Sequence, residues 1–196
     1  MDQPDKGRVT QLLNSVRQGD KAHEAELFEL VYAQMRRLAQ NQMSHERAGH
    51  TLQATAVVHE AYLRIFGREN VEWSGRSHFL AIAGREFRRV LIEHARQAKA
   101  DKRGGGGPRL SVDSLAGEEP GHSPIDADIV AVHELMEQLQ KMDPEAAHVV
   151  ELKFFAGLTD EEAAVESGIG IHKLRRHWTF ARSWFLARLN EKAKGR

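Results

Sequence analysis

The sequence predicts an all-α fold of two small helical domains, and three observations carry that prediction. Apolar residues recur at steps of three and four in one segment after another. No stretch alternates apolar and polar residues as a half-buried strand does. A run of four glycines and a proline, Gly104 to Pro108, followed by further Pro, Gly and acidic residues, divides the chain. The expected layout is a helical domain over 7–100, a flexible acidic linker over 101–125 and a second helical domain over 126–192.

Composition narrows the function. The 196 residues carry no net charge, so no global field draws the chain to nucleic acid. The charge is instead distributed in blocks. Basic residues outnumber acidic ones from Ala81 to Arg109 and again from Ile171 to Arg196, while Leu110 to Gln140 has acids and no Lys or Arg. There is no cysteine, which excludes disulfides and thiolate metal sites. No apolar run approaches the roughly 20 residues of a membrane span, and the N-terminus lacks the apolar core of a signal peptide. A cytoplasmic protein is therefore expected. The histidines form no His-Glu-x-x-His pair, since His59-Glu60 is followed by Leu63, so no metal or other cofactor and no catalytic residue is expected.

Val9 to Gln18 reads as a short helix ended by Gly19. Asp20 can cap the next, which runs to about Met43 with Leu27, Val31, Met35 and Leu38 on one stripe. Ser44 to Thr51 is polar and reads as a loop. Leu52 to Phe66 is apolar around most of its circumference, with Gln53, Glu60 and Arg64 on a narrow polar strip. Two readings fit that pattern, a central bundle helix and a helix that docks on another protein. Gly67 to Ser77 reads as a loop containing Trp73, either a core residue or an exposed aromatic platform. From Ser77 to about Ala100, Phe79, Leu80, Ala83, Phe87, Val90 and Leu91 take one side of a long helix. Arg85, Arg88, Arg89, Arg96 and Lys99 take the other, a row of cations suited to a phosphate backbone. A solvated face would instead interleave Glu with the cations.

Beyond the linker, Asp126 or Asp128 starts a helix reaching about Met142. Asp143-Pro144 starts another, with proline at the first helical position, where its missing amide costs nothing; Gly157 closes it. Thr159 and Glu162 form a capping box for a short helix, Asp160 to Ser167, stopped at Gly168. After a turn holding Gly170, a longer helix buries Ile171, Leu174, Trp178, Ala181, Phe185 and Leu189. His172, Lys173 and Arg176 lie opposite, with Arg175 and Arg182 on the flank. Two helices joined by a tight glycine turn, the second one basic, meet the requirements of a helix-turn-helix. An ordinary helical hairpin with a solvated basic face has the same pattern.

In this order the elements resemble the extracytoplasmic-function sigma factors, the promoter-recognising subunits of bacterial RNA polymerase. The resemblance rests on Val57-Val58-His59-Glu60-Ala61-Tyr62-Leu63-Arg64, on Phe79 to Arg103 and on Leu158 to Leu189, and it spans nearly the whole chain. It implies a non-enzymatic initiation factor whose partners are core RNA polymerase and promoter DNA, with an anti-sigma protein as a further candidate and no membrane. Leu52 to Phe66 would dock on the polymerase clamp helices through Gln53, His59, Glu60 and Arg64. Most members have Asp and then Gln-Glu here, where this chain has Ala56 and then His59-Glu60. The loop with Trp73 would capture a flipped base of the minus-10 element, with Arg85, Arg88, Arg89, Arg96 and Lys99 on the backbone beside it. The last helix would read the minus-35 element through His172, Lys173, Arg175, Arg176, Thr179 and Arg182. The acidic linker would occupy the path that nascent RNA later takes.

The physical chemistry agrees with those roles. An aromatic face holds an unstacked base with about 1–3 kcal/mol, and side chains at the start of a recognition helix reach base edges. The rival reading is a free-standing helix-turn-helix regulator, which has no use for the basic helix and aromatic loop at Gly67 to Lys99. A helical metal-dependent hydrolase would need converging His and carboxylate pairs that the sequence lacks.

Overall fold

The N-terminal helices form because each has an apolar face to bury. The structure, a computed structural model, describes residues 4–17, 20–42, 54–67, 74–101, 109–111 and 126–194. The helices are α1 (Pro4–Arg17), α2 (Glu24–Gln42), α3 (Ala54–Phe66) and α4 (Arg76–Asp101). A 3-10 turn, Lys21–His23, leads into α2, with the Asp20 carboxylate accepting from the Ala22 amide at 3.0 Å. Val9, Leu12, Leu27, Val31, Met35, Val58, Ile65, Phe79, Phe87 and Leu91 are all buried together. Of the two apolar faces of α3, the one with Val58, Ala61 and Ile65 is in the core, while Ala56 and Leu63 face outward.

The C-terminal helices are α5 (Ile129–Met142), α6 (Pro144–Val150), α7 (Asp160–Ser167) and α8 (Ile171–Lys194). Asp128, not Asp126, caps α5, accepting from the Val130 amide at 2.9 Å. Asp143 caps α6 by accepting from Ala146, with Pro144 in the first turn. The sequence predicts one helix from here to Gly157. Instead α6 widens at Glu151–Phe155 into a π-helical segment, in which the Ala156 amide bonds back to the Glu151 carbonyl at 3.0 Å. Leu152, Phe154 and Phe155 are thereby all buried, an accommodation that a strict α-helical turn does not give.

Among the described residues the fold is all-α apart from one short ladder. Strands β1 (Arg109–Ser111) and β2 (Asp126–Asp128) pair antiparallel, Leu110 opposite Ala127. The sequence shows no such pairing, because three residues are too few for an alternation to register. The rest of the linker lies outside the described residues.

The two sets of helices meet along α4, and their buried residues form one continuous core. One side of α4 packs on α3; another packs on α5, the π-helical segment and α7. Arg76 donates to Glu162 at 2.7 Å and Arg88 to Glu151 at 3.2 Å. Between those pairs Gly84 lies so close to the opposite backbone that a Cβ there would meet Ala156 N at 2.8 Å.

Candidate nucleic-acid interface

The helix-turn-helix is fixed locally before any packing is counted. Thr159 accepts from the Glu162 amide at 3.2 Å while Glu162 accepts from the Thr159 amide at 3.0 Å, so two free amides at the start of α7 are satisfied reciprocally. Gly168 ends α7 at φ 69°, a left-handed conformation that glycine adopts without strain. Leu174, Ala181 and Phe185 then anchor α8 in the core.

That anchoring turns the opposite face of α8 outward. His172, Lys173, Arg175, Arg176 and Thr179 are exposed and Arg182 is half-buried. Two of these cations are already engaged. Lys173 donates to Glu145 at 2.8 Å, and Arg175 Nε to Asp160 at 2.8 Å. Asp160 is held below the usual carboxylate range by its hydrogen bonds from Lys153 and then Arg175, and Glu145 is lowered by Lys173. Lys153 also stands over the Trp178 ring, 5.2 Å from its centre. Arg176 and His172 pair with no acid among the described residues, so they are the most available donors on this face.

The basic row on α4 is divided differently from the sequence reading. Arg85, Arg89 and Arg96 are exposed. Arg88 is turned the other way, only 17% exposed, with its guanidinium on Glu151 and 5.5 Å from the centre of the Phe155 ring. Acids do interleave: Arg89 donates to Glu86 at 3.2 Å, and Glu93 of the same helix accepts from Arg64. Burial pushes the Glu151 carboxyl up, with Arg88 and then Arg85 opposing.

On α3 the polar strip is a network rather than a set of free groups. Arg64 bridges Glu60 and Glu93, and His94 Nε2 lies 2.7 Å from Glu60 Oε2. The His94 contact first, and Arg64 after it, hold Glu60 below the usual carboxylate range. His59 is exposed beside Leu63, which is 55% exposed, and Phe28 of α2 rests edge-on against Tyr62 at 4.7 Å. Gln53 and Trp73 lie outside the described residues, as does the side chain of Lys99.

The profile of the ECF sigma factor family matches residues 6–191. The chain belongs to that family. No curated protein and no solved structure matches it. Membership makes this a sigma factor that acts in promoter-directed transcription initiation, with RNA polymerase and promoter DNA as its partners. Among the described residues of the sigma factor, no helix is long and apolar enough to cross a membrane, and no three His, Asp or Glu side chains converge as a metal site does.

The partners of this sigma factor's charged groups do not show in its sequence. Glu145 and Asp160 grip the recognition helix, Glu93 holds Arg64 and His94 meets Glu60 on the α3 strip, and Glu151 and Glu162 grip α4. Only the arginine–glutamate spacing inside α4 and α3 was available as a local signal; the other pairs join residues far apart in sequence.

Proposed function

We propose that this sigma factor recognises a two-part promoter and helps to open it. Helix α8 enters the major groove at the minus-35 element, with His172, Lys173, Arg175, Arg176, Thr179 and Arg182 facing the DNA. Helix α4 follows the backbone at the minus-10 element through Arg85, Arg88, Arg89, Arg96 and Lys99, and Trp73 stacks on a base drawn out of the duplex. Helix α3 docks on core polymerase through Gln53, His59, Glu60 and Arg64, with the outward Leu63 supplying apolar contact. The helices over 7–100 and over 126–192 are the two working units, joined by residues 101–125.

The observation that carries this reading is the capped, glycine-stopped α7 feeding an α8 that buries Leu174, Ala181 and Phe185 and exposes Lys173, Arg175 and Arg176. A lone hairpin with a solvated face accounts for neither the family match nor the second basic helix. Run-off transcription with purified core polymerase on a promoter selected from random DNA tests it. The holoenzyme is expected to select sites with two conserved blocks. Selection of a single block protected by the factor without polymerase would instead indicate a free-standing regulator.

A further inference from the structure

Along α4 the C-terminal helices lie against the same helix that the proposed function assigns to the minus-10 backbone. Three contacts hold them there: Arg76 with Glu162, the backbone of Ala156 on Gly84, and Arg88 with Glu151. From Arg76 to Arg88 they run along roughly 18 Å of helix, at 1.5 Å per residue. Arg76 and Glu151 are among the few buried charged residues, and Phe155, under the Arg88 guanidinium, is fully buried.

We infer that α4 is an interaction surface with two mutually exclusive occupants, the chain's own C-terminal helices and the phosphate backbone of DNA, and that Arg88 is the residue they share. The DNA half of this inference rests on the proposed function. The Nε–Nη2 edge of Arg88 is taken by the Glu151 carboxylate and its Nη1 lies 3.4 Å from His133 Nδ1, so the forked edge that would grip a phosphate is already occupied, and the Glu151 charge also stands close enough to Arg85 to feel it. Arginine bonds carboxylate and phosphate in the same forked geometry. Exchanging one for the other leaves Arg88 satisfied in both states, which is what a reversible contact requires. The closed arrangement engages Arg88 of α4, while Arg85, Arg89 and Arg96 of that helix and His172 and Arg176 of α8 stay exposed in it. Minus-35 reading is therefore open to the closed form, and the Arg88 contact at the minus-10 backbone follows its release.

Gly84→Ala in the full chain is the direct test. Alanine favours the helix more than glycine does, so α4 itself is not weakened. The added methyl meets the backbone of Phe155 and Ala156, not a flexible side-chain end. Two quantities are read, the radius of gyration by X-ray scattering and the affinity for a fluorescein-labelled mixed-sequence DNA carrying a melted bubble. We expect a larger radius and several-fold tighter binding, with a salt slope steeper by about one phosphate and the gain lost when Arg88→Ala is added. Glu151→Lys attacks the contact from the other side and should act alike; it decides the matter if circular dichroism shows Gly84→Ala unfolded. An unchanged radius in the folded variants overturns the inference, as does a larger radius with unchanged DNA affinity. Failure of the sigma reading looks different: the parent chain then drives no transcription with core polymerase. Failure of the masking alone leaves transcription intact.

Discussion

Arg175 Nε of the recognition helix donates to the Asp160 carboxylate at the start of α7, 2.8 Å away, tying the two helices of the helix-turn-helix together across their turn. The same carboxylate accepts from Lys153. One acid thus holds Arg175, of the surface proposed to face DNA, together with Lys153 of the π-helical segment, and it sits at a helix N-terminus, where a negative charge is favoured.

Asp160→Asn tests what that grip does. Removing the charge from the first turn of α7 should cost about 0.3–1 kcal/mol of stability through the helix dipole. It also frees Arg175 and removes a repulsion from phosphates. Non-specific DNA affinity should rise and its salt dependence steepen, as measured by anisotropy titrations at several salt concentrations. Weaker binding at every salt concentration would show that Asp160 positions Arg175 for a specific contact instead.

Arg176→Ala and Lys173→Ala should differ in kind. Arg176 has no acid partner among the described residues and faces outward near the start of α8. A lost base-edge contact there would cost about 1–3 kcal/mol and relax specificity at one position. Lys173 is paired with Glu145, so its loss should lower affinity for all sequences and flatten the salt slope. Selection from a randomised minus-35 block separates the two. Identical selected sequences for parent and Arg176→Ala would remove Arg176 as a base reader.

The docking face of α3 is best probed away from its network. Glu60→Arg would set a second cation against Arg64 and remove the partner of His94, and so disturb folding as well as docking. Leu63→Glu changes a side chain that is 55% exposed and should leave stability within about 0.5 kcal/mol. Retention on immobilised core polymerase should fall sharply. Full retention would place the docking surface elsewhere.

Acid should loosen the contact between α3 and α4. Glu60 and Glu93 are both lowered, the first chiefly by His94 and the second chiefly by Arg64. A carboxylate with a depressed folded-state value contributes stability that is present above its unfolded value, and is lost as pH falls through the folded one. The melting temperature should therefore drop below the ordinary carboxylate range, and less steeply in Glu93→Gln. Both groups are partly exposed, so solvent screening keeps the effect small. Equal pH profiles for parent and variant would show that the network adds nothing.

What was legible in the sequence was what repeats or caps locally. The Thr159–Glu162 box, the Gly168 stop, the Asp143-Pro144 start and the α8 stripe all rest on neighbours within about one turn, and each is where the spacing put it, although of the stripe only Leu174, Ala181 and Phe185 are fully buried and Ile171, Trp178 and Leu189 are half-buried. The π-helical segment was not legible, because shifting a hydrogen bond by one residue leaves no mark on composition. Arg88 was misplaced among the outward cations for a similar reason. Its spacing fits that row, but its partner Glu151 is 63 positions away and reaches it only because Gly84 admits the backbone beside it. The acids on the recognition surface escaped notice because they come from α6 and α7, not from α8 itself.

The proposed function turns on opening of the promoter, and permanganate reactivity of thymines around the minus-10 element measures that opening most directly. Holoenzyme with the parent chain should expose those thymines on duplex DNA. With Trp73→Ala the closed complex should form nearly as well, since α8 and α3 are untouched. Reactivity on the duplex should fall, and a pre-melted bubble should restore part of it, because the base no longer has to be unpaired. Normal duplex reactivity with Trp73→Ala would contradict base capture by this aromatic ring.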